Sequence, residues 1–144
     1  MRVVRYIKGS PGQGILLKAD CNLRLRAFCN SDWVSCPVTR RSITGYFVML
    51  GGSRISWKMK KQSIVSRSLT EGEYRAMAST ASELVWLKSL LTSLRVDHRE
   101  CMKLFCDSQY VIHIVANPVF HKRTKHIVID CHYLRKQVQI GIIS

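Results

Sequence analysis

The carboxylate side chains of this chain are scarce, with nine Asp and Glu residues among 144. Three of them lie where predicted elements begin or end. Asp32 follows an alternating stretch, Glu73 lies early in a long helical pattern, and Asp107 follows the apolar run 102–106. Carboxylate oxygens bind the divalent cations that activate water for phosphodiester hydrolysis, and Mg²⁺ needs few of them because it keeps several waters. If the two strand ends and the helix start share one corner, these three side chains form a metal site.

Each of these carboxylates also has a purely structural interpretation, which the sequence leaves open. Asp107 could cap the helix predicted to follow it, by accepting backbone N–H bonds. Asp32 could be a turn residue in the stretch NSDW. Glu73 could complete a capping box with Thr70, and the spacing does not decide between Glu73 and Glu71. The metal site and the caps are therefore competing predictions.

The charge of the chain favours a polyanionic partner. Lys and Arg number 23 against nine acidic residues, which gives a net charge of +14. Nucleic acid is the first candidate for such a partner and an anionic membrane the second, while a basic surface without a specific partner is the alternative. No apolar run approaches the roughly 20 residues that a membrane-spanning helix needs, and the N-terminus lacks the pattern of a signal peptide.

The cysteines and histidines do not indicate a zinc site or a disulfide framework. No CxxC pair occurs, and the histidines lack the spacing of zinc ligands. Without a secretory signal, disulfides are not expected. We therefore interpret the cysteines as buried small apolar residues. They are Cys21, Cys29, Cys36, Cys101, Cys106 and Cys131.

The hydrophobic periodicity predicts a mixed α/β fold. Alternating or β-rich stretches at 23–29, 44–52 and 53–68 predict strands, and so does the apolar run 102–106. Helical patterns predict a long helix from Thr70 to about residue 94, a helix after Asp107, and a last helix from Ile127 to about Gln139. The last helix is expected to turn Ile129, Tyr133 and Val138 inward. A basic helix is expected at 1–9 and the start of a further strand at Ile142–Ile143. This order predicts antiparallel first strands and a later strand joined by a helical crossover.

The longer motifs of the chain carry a family resemblance. The segments TRRS, TGY, GG, ISWK, KKQ, VSRS and WL occur in this order between residues 39 and 87, and NPVFHKRTKHI follows LFCDSQ. Together they closely resemble the ribonuclease H domain of Ty1/copia-type retrotransposon Pol polyproteins, plant copies especially. Residues 15–144 are expected to form the ribonuclease H-like domain, with its last strand and C-terminal helix missing. Residues 1–14 resemble the tail of the reverse transcriptase of the same polyprotein.

The resemblance implies an α/β, ribonuclease H-like mixed sheet with antiparallel strands 1–3, then a parallel strand 4, and flanking helices. It implies endonucleolytic hydrolysis of RNA in RNA–DNA hybrids with two Mg²⁺ ions, or Mn²⁺, held by the catalytic residues Asp32, Glu73 and Asp107. The family's first motif, S-D-A-D-W, reads Cys29 to Trp33 here, with Asn30 in place of one aspartate. If the replaced residue is the metal ligand, an amide oxygen substitutes for a carboxylate and metal affinity falls. The family's fourth acidic residue lies in a segment beyond Ser144, and Asp130 does not replace it.

The resemblance also implies an RNA–DNA hybrid and the reverse transcriptase portion of the same polyprotein as partners, and no membrane. An intracellular location follows, in a cytoplasmic virus-like particle or the nucleus. Because a hybrid is held chiefly through its phosphates and 2′-hydroxyls, exposed cations and polar side chains near Asp107 are the expected contacts. Activity in this copy is expected to be impaired. The alternative is a non-catalytic nucleic-acid-binding remnant, or a domesticated or pseudogene fragment. The expected substrate contacts are Ser108, Gln109, Arg40, Arg41, Lys58, Lys61 and Lys125.

Overall fold

The computed structural model describes residues 2–12, 14–18, 22–116 and 128–144. Within these ranges the chain forms four helices and four strands. In chain order they are α1 (Arg2–Gly9), β1 (Leu25–Asp32), β2 (Ile43–Leu50), β3 (Ser53–Lys61), α2 (Leu69–Ser93), β4 (Lys103–Cys106), α3 (Gln109–Ala116) and α4 (Val128–Gln139).

The four strands form one mixed sheet in the order β3-β2-β1-β4. The pairs β1–β2 and β2–β3 are antiparallel, and β1 and β4 are parallel. A parallel neighbour requires a long crossover connection, and α2 lies within the connection from β3 to β4. The structure thus confirms the predicted mixed sheet with three antiparallel strands followed by a parallel one.

The period-2 pattern of β1 separates the two faces of the sheet. Leu25, Ala27, Cys29 and Ser31 are buried, whereas the residues between them are partly or fully exposed. The buried set faces α2, because a Cβ at Gly72 of α2 would lie 2.9 Å from the Ser31 Oγ atom. We call this side the inner face and the opposite side the outer face.

The hydrophobic core lies between the inner face of the sheet and the helices. The long helix α2 supplies the largest share of it, and residues of α3, α4 and the segment before β4 complete the cluster. Burying apolar side chains of this size contributes about 1.5–3 kcal/mol each. The most deeply buried large members are Leu25, Val48, Tyr74, Leu84, Met102, Val111 and Leu134.

The N-cap of helix α2 lies two residues before the Thr70 cap that the sequence predicted. Ser68 is its N-cap residue and its hydroxyl accepts the backbone N–H of Glu71, at 3.2 Å. The Glu71 carboxylate in turn accepts the backbone N–H of Arg67, at 2.6 Å. The predicted capping box between Thr70 and Glu73 is therefore wrong. The Ser68 hydroxyl and the Glu71 carboxylate accept the free backbone N–H groups at this helix start, two residues before the predicted pair. Glu73 therefore has no capping role.

The face that α4 buries also differs from the prediction. Cys131, Leu134 and Gln137 are buried, whereas Ile129 is 83% exposed and Val138 is 45% exposed. Tyr133 is partly buried. A helix of only three turns offers two overlapping i, i+3 stripes, and the position of α2 selects between them. The residues that follow, Ile142–Ser144, pair with Met102–Leu104 through three backbone hydrogen bonds of 2.9–3.0 Å, at the expected start of a strand.

The cysteines are only partly as predicted. Cys29 and Cys131 are buried, but Cys36 and Cys106 are partly exposed and Cys101 is exposed, while Cys21 lies outside the described residues. The prediction failed for the residues at strand ends and in loops, where small apolar side chains reach solvent. Over the described part of the chain, none of the helices combines the length and apolar character needed to span a bilayer.

Candidate functional site

The parallel pairing of β1 and β4 brings an amide and a carboxylate to one edge of the sheet. Cys29 of β1 is the partner of Cys106 at the end of β4. The next residues in the two strands' direction are Asn30 and Asp107, and both are exposed. Ends of parallel strands are where open α/β sheets place their sites. Asn30, in the first acidic motif, is therefore next to Asp107 in the register.

Glu73 approaches this edge from α2. The residue is 6% exposed, and its buried Oε2 atom has no hydrogen-bond partner among the residues that the structure describes. A buried carboxylate oxygen without a donor is costly, and such an atom in a native structure requires an explanation such as an unseen ion or water. Glu71 differs, because its carboxylate accepts the backbone N–H of Arg67 and forms an ion pair with Arg75. Of the two glutamates, Glu73 is thus the one with a buried carboxylate oxygen that no described residue contacts by a hydrogen bond.

Two paired thiols, Cys29 of β1 and Cys106 of β4, adjoin this end of the strands. The hydrogen bond with Cys106, together with burial, raises the pKa of Cys29. The same hydrogen bond from Cys29 lowers the pKa of Cys106, against the opposing negative charges of Glu73 and Asp107. The charges of both carboxylates therefore reach the Cys106 thiol, at the end of β4.

A buried polar cluster holds the start of α2 against the sheet. The Gln62 side-chain amide donates to the Gly72 carbonyl oxygen at 2.8 Å and to the Thr44 hydroxyl at 3.0 Å, and its oxygen accepts the Ser66 hydroxyl at 2.8 Å. The cluster fixes the residue before Glu73 and therefore positions the carboxylate. Sequence reasoning did not assign these residues, although they are the glutamine of KKQ and the first serine of VSRS, two motifs that carried the resemblance.

Asp32 lies farther along β1. It is exposed at the end of the strand, opposite Ile43 of β2. It lies two positions after Asn30, on the same face of the strand and about 6–7 Å farther along it. In the described ranges, no group of three or more His, Cys, Asp and Glu side chains is arranged to hold a metal ion. The predicted acidic residues Asp32, Glu73 and Asp107, all within the described ranges, thus do not form such a group.

Asp130 lies in the first turn of α4. Burial raises the pKa of its carboxyl group, and the charges acting on it are those of Arg75 and Glu71. Its carboxyl group thus lies within range of the charges of the Arg75–Glu71 ion pair of α2.

The predicted substrate contacts occupy three places. Ser108 and Gln109 lie at the start of α3, directly after Asp107, with Ser108 half-buried and its carbonyl oxygen accepting the Ile112 N–H. Arg40 and Arg41 are exposed in the loop between β1 and β2, and Arg40 has a left-handed backbone with φ of 53°.

The remaining predicted contacts are on or beyond β3. Lys58 and Lys61 are exposed on this edge strand, and the Lys61 Nζ atom lies 3.1 Å from the Cys36 Sγ atom. Lys125 lies outside the described residues.

Sequence comparison finds relatives among transposon polyproteins. The chain is 46% identical over 142 residues to the "Retrovirus-related Pol polyprotein from transposon RE2" of Arabidopsis thaliana, in an alignment that covers 99% of this chain and 10% of that protein. It is 45% identical to the corresponding polyprotein from transposon RE1 of the same plant, with the same coverage. The chain thus spans about a tenth of the length of the curated relatives that it matches. No protein-family model matches the chain.

Structure comparison agrees with the topology. RNase H1 from the halophilic archaeon Halobacterium salinarum NRC-1 superposes with a TM-score of 0.59 and 12% sequence identity, over 83% of this chain and 80% of that one. At this identity the likeness concerns the fold alone. The comparisons confirm the resemblance found in the sequence: the chain is a close homologue of one segment of the retrovirus-related Pol polyproteins of plant transposons, and its fold is that of RNase H1.

Proposed function

We propose that this chain is the ribonuclease H domain of a retroelement Pol polyprotein, formed by residues 15–144, and that it acts on the RNA strand of RNA–DNA hybrids. The fold and the homologous polyproteins support the domain assignment. The observation that carries the activity is the unpartnered, buried Oε2 atom of Glu73 at the corner where Asp107 ends β4. The reverse transcriptase portion of the same polyprotein is the proposed neighbouring partner.

The donors at this corner fit a hard divalent cation. Mg²⁺ typically binds one or two protein carboxylates and keeps several waters, and Glu73 and Asp107 supply two carboxylates. Asn30 supplies an amide oxygen, which carries no net charge. The corner therefore has one negative charge fewer than it would have with aspartate at position 30, and its affinity for a divalent cation is lower. A cation bound there would activate a water for attack on phosphorus and stabilise charge on the leaving oxygen. We therefore propose Mg²⁺, or Mn²⁺, as the cofactor and reduced activity for this chain.

The hybrid would be held mainly by charge. The exposed cations in the β1–β2 loop and on β3 are Arg40, Arg41, Lys58 and Lys61, and phosphates are their natural partners. Ser108 and Gln109 follow Asp107 directly and are proposed to donate or accept hydrogen bonds near the scissile strand. These groups orient the duplex, while the corner acidic residues act on the reacting phosphate.

The direct test is cleavage of a labelled RNA–DNA hybrid with and without Mg²⁺. Asp107→Asn and Glu73→Gln are each expected to reduce the rate by about 100-fold or more, because each removes a carboxylate proposed to hold the cation that activates the attacking water. Glu83→Gln is the matched control, since Glu83 lies on the same helix but accepts the Ser56 hydroxyl of β3 at 2.7 Å. Cleavage that survives both corner substitutions would show that the site is elsewhere.

A restoring substitution tests the role of Asn30. Asn30→Asp adds a third carboxylate next to Asp107 in the register, and we expect half-maximal cleavage at a Mg²⁺ concentration about tenfold lower. Asp32→Asn, on the same face of the same strand, is the comparison. If Asp32→Asn abolishes cleavage while Asn30→Asp has no effect, Asp32 is the ligand of the first motif instead.

A second candidate function follows from the Asn30 side chain, an amide in place of a carboxylate. With only two carboxylates at the corner, the chain could bind hybrids by charge without turning them over. In that case hybrid affinity is retained, Mg²⁺ produces no cleavage in the unsubstituted chain, and Asn30→Asp, which supplies the missing carboxylate, produces cleavage.

A further inference from the structure

A cleft of about 250 Å³ lies between the edge strand β3 and the helix α2, and we call it the β3–α2 cleft. It is on the inner face of the sheet, because its residues Lys58 and Lys60 pair with Tyr46 and Thr44, whose side chains are buried there. The strand β3 forms one edge of the sheet, whereas residues 142–144 pair with β4 at the other edge. None of the residues that line the cleft is a proposed metal ligand.

The β3–α2 cleft contains positive charge that the described carboxylates leave free. Within the described ranges, neither Lys58 nor Lys60 forms an ion pair or a hydrogen bond, and both side chains are exposed. Alternate residues of a strand are about 6–7 Å apart, so two ammonium groups follow one another along β3. On the opposite wall, Arg75 is already paired with Glu71. The two lysines are therefore the main source of uncompensated charge in the cleft.

The α2 wall of the cleft adds a hydroxyl group that the helix does not use. Ser79 is exposed, and no described residue accepts a hydrogen bond from it. Ser63, after β3, also lines the cleft and also has no described partner. Two hydroxyl donors thus join the two lysines. The hydroxyls of the other Ser and Thr residues in the second half of α2 donate instead to the carbonyl oxygen four residues earlier, at 2.7–3.1 Å: Thr80, Ser82, Ser89, Thr92 and Ser93.

The cleft begins close to Glu73. Arg75 and Ser79 follow Glu73 by two and six residues on α2, so they lie about 3 Å and about 9 Å farther along the helix axis. Successive phosphates of one strand of a duplex are about 3.4 Å apart along its axis. A strand with one phosphate at Glu73 therefore brings another phosphate to the cleft a few nucleotides away.

We propose that the β3–α2 cleft binds a second phosphate of the substrate, a few nucleotides from the phosphate that is cleaved. The ammonium groups of Lys58 and Lys60 neutralise this phosphate, and the hydroxyls of Ser63 and Ser79 donate to its oxygen atoms. Contacts of this kind fix the register of a nucleic acid on a protein without reading its sequence. The inference rests on the proposed function, because it assigns the register in which a hybrid meets the metal site.

The position of the cleft favours a phosphate over the carboxylates of an acidic protein segment. A hybrid bound for cleavage already brings phosphates to this end of α2, at a regular spacing along its backbone. Lysine and serine side chains are also among the usual donors to phosphate oxygens. The cleft therefore extends the proposed substrate path along the first turns of α2.

The first test measures binding of a fluorescein-labelled RNA–DNA hybrid to the full chain, by anisotropy in EDTA so that no cleavage occurs. We expect Ser79→Ala to weaken binding about tenfold, the usual effect of losing a hydrogen bond to a charged group. Ser89→Ala is the matched control, because Ser89 is exposed on the same helix but donates to the Val85 carbonyl oxygen at 3.1 Å. Neither substitution changes the net charge, and urea unfolding checks that both variants remain folded.

The second test locates the phosphate. One phosphate at a time is replaced by a neutral methylphosphonate along each strand of the hybrid. We expect one position outside the cleaved bond at which this replacement weakens binding of the parent chain about tenfold. Lys60→Ala should abolish the effect at that position, while Lys136→Ala, which removes an exposed charge on α4, should retain it.

The outcomes separate a defined phosphate site from general attraction. The proposal is supported if the methylphosphonate effect is confined to one position and lost in Lys60→Ala, and if only Ser79→Ala of the two serine variants weakens binding. It is overturned if the two serine variants bind alike, if all positions give the same loss, or if poly-glutamate binds as tightly as the hybrid. A chain that shows the Ser79 effect but never cleaves in Mg²⁺ contradicts the proposed nuclease alone. A chain that cleaves without any Ser79 effect contradicts the cleft alone.

Discussion

At the scale of single residues, Cys36 shows how a loop sets the chemistry of a side chain. Hydrogen bonds from the Thr39 side chain and backbone, and then from Lys61, lower the pKa of the Cys36 thiol to about 6. At neutral pH this group is therefore a thiolate, 3.1 Å from the Lys61 ammonium. Lys61, one of the proposed phosphate contacts, thus already has an anionic neighbour, which reduces the charge that it offers to a hybrid.

Alkylation of Cys36 tests this environment. The thiolate is the reacting species, so the rate is expected to rise as pH increases through about 6 and to level off by neutrality. Thr39→Val removes the first hydrogen bond and should move the rise to higher pH. Mass spectrometry after iodoacetamide labelling measures the rate at this residue. The urea-unfolded chain is the control, because its thiol should still gain reactivity up to its ordinary pKa of 9.0. A folded-state rate that also climbs steadily to that pH would contradict the assignment.

At the scale of elements, the site depends on how closely α2 approaches β1. Gly72 is buried in the second turn of α2, and a Cβ atom there would lie 2.9 Å from the Ser31 hydroxyl and 3.4 Å from that of Ser42. The absence of a side chain allows the helix to come down on the strand, and Glu73 follows immediately. The usual penalty for glycine in a helix is here offset by close packing.

Gly72→Ala tests this contact. Alanine normally stabilises a helix by about 1 kcal/mol relative to glycine, but overpacking a filled site costs about 1–3 kcal/mol. We expect net destabilisation by about 1–2 kcal/mol in urea unfolding, and partial recovery when Ser31→Ala is added. Gly45→Ala is the control, because a Cβ there meets open space, and it should be neutral or stabilising. A Gly72→Ala variant more stable than the parent would show that the helix does not need this approach.

At the scale of the whole molecule, the net charge of +14 governs encounters with nucleic acid. The described acidic residues are partly engaged with neighbouring cations, as in the pairs Arg24–Glu100, Arg75–Glu71 and Arg99–Asp97. These pairs leave the exposed lysines of β3 among the groups available to phosphates. Binding of this kind releases counterions, so affinity should fall steeply with salt.

Lys58→Ala tests whether β3 contributes to hybrid binding. Removing one phosphate contact should reduce the slope of log affinity against log salt by about one, and weaken binding to all sequences alike. Fluorescence anisotropy with a labelled hybrid from low to moderate NaCl gives the slope. Lys136→Ala, an equally simple charge removal on the exposed part of α4, is the control. Equal slopes for the two variants would mean that the charge acts only through the overall field.

The sequence predicted the elements well where the pattern was long and strictly periodic. The alternation of β1, the length of α2 and the antiparallel-then-parallel order of the sheet were all visible in it. The short helix α4 was assigned the wrong inward face, because three turns do not define a stripe without the neighbouring helix. The cap of α2 was placed at Thr70 because the sequence holds two overlapping capping patterns, and only the backbone geometry at Ser68 selects one.

The sequence by itself determined the family resemblance, the excess of positive charge and the set of acidic residues from which a site could be built, because these are properties of composition and of motifs along the chain. Only the tertiary structure decided that Asn30 and Asp107 directly follow a pair of register partners, and that four aromatic residues from four strands form one row. It also decided that, within the described part of the chain, Glu73 rather than Glu71 has a buried carboxylate oxygen without a hydrogen-bond partner. The physical reason is that strand register and helix approach arise from contacts between residues far apart in the chain, and local periodicity carries no information about which of them meet.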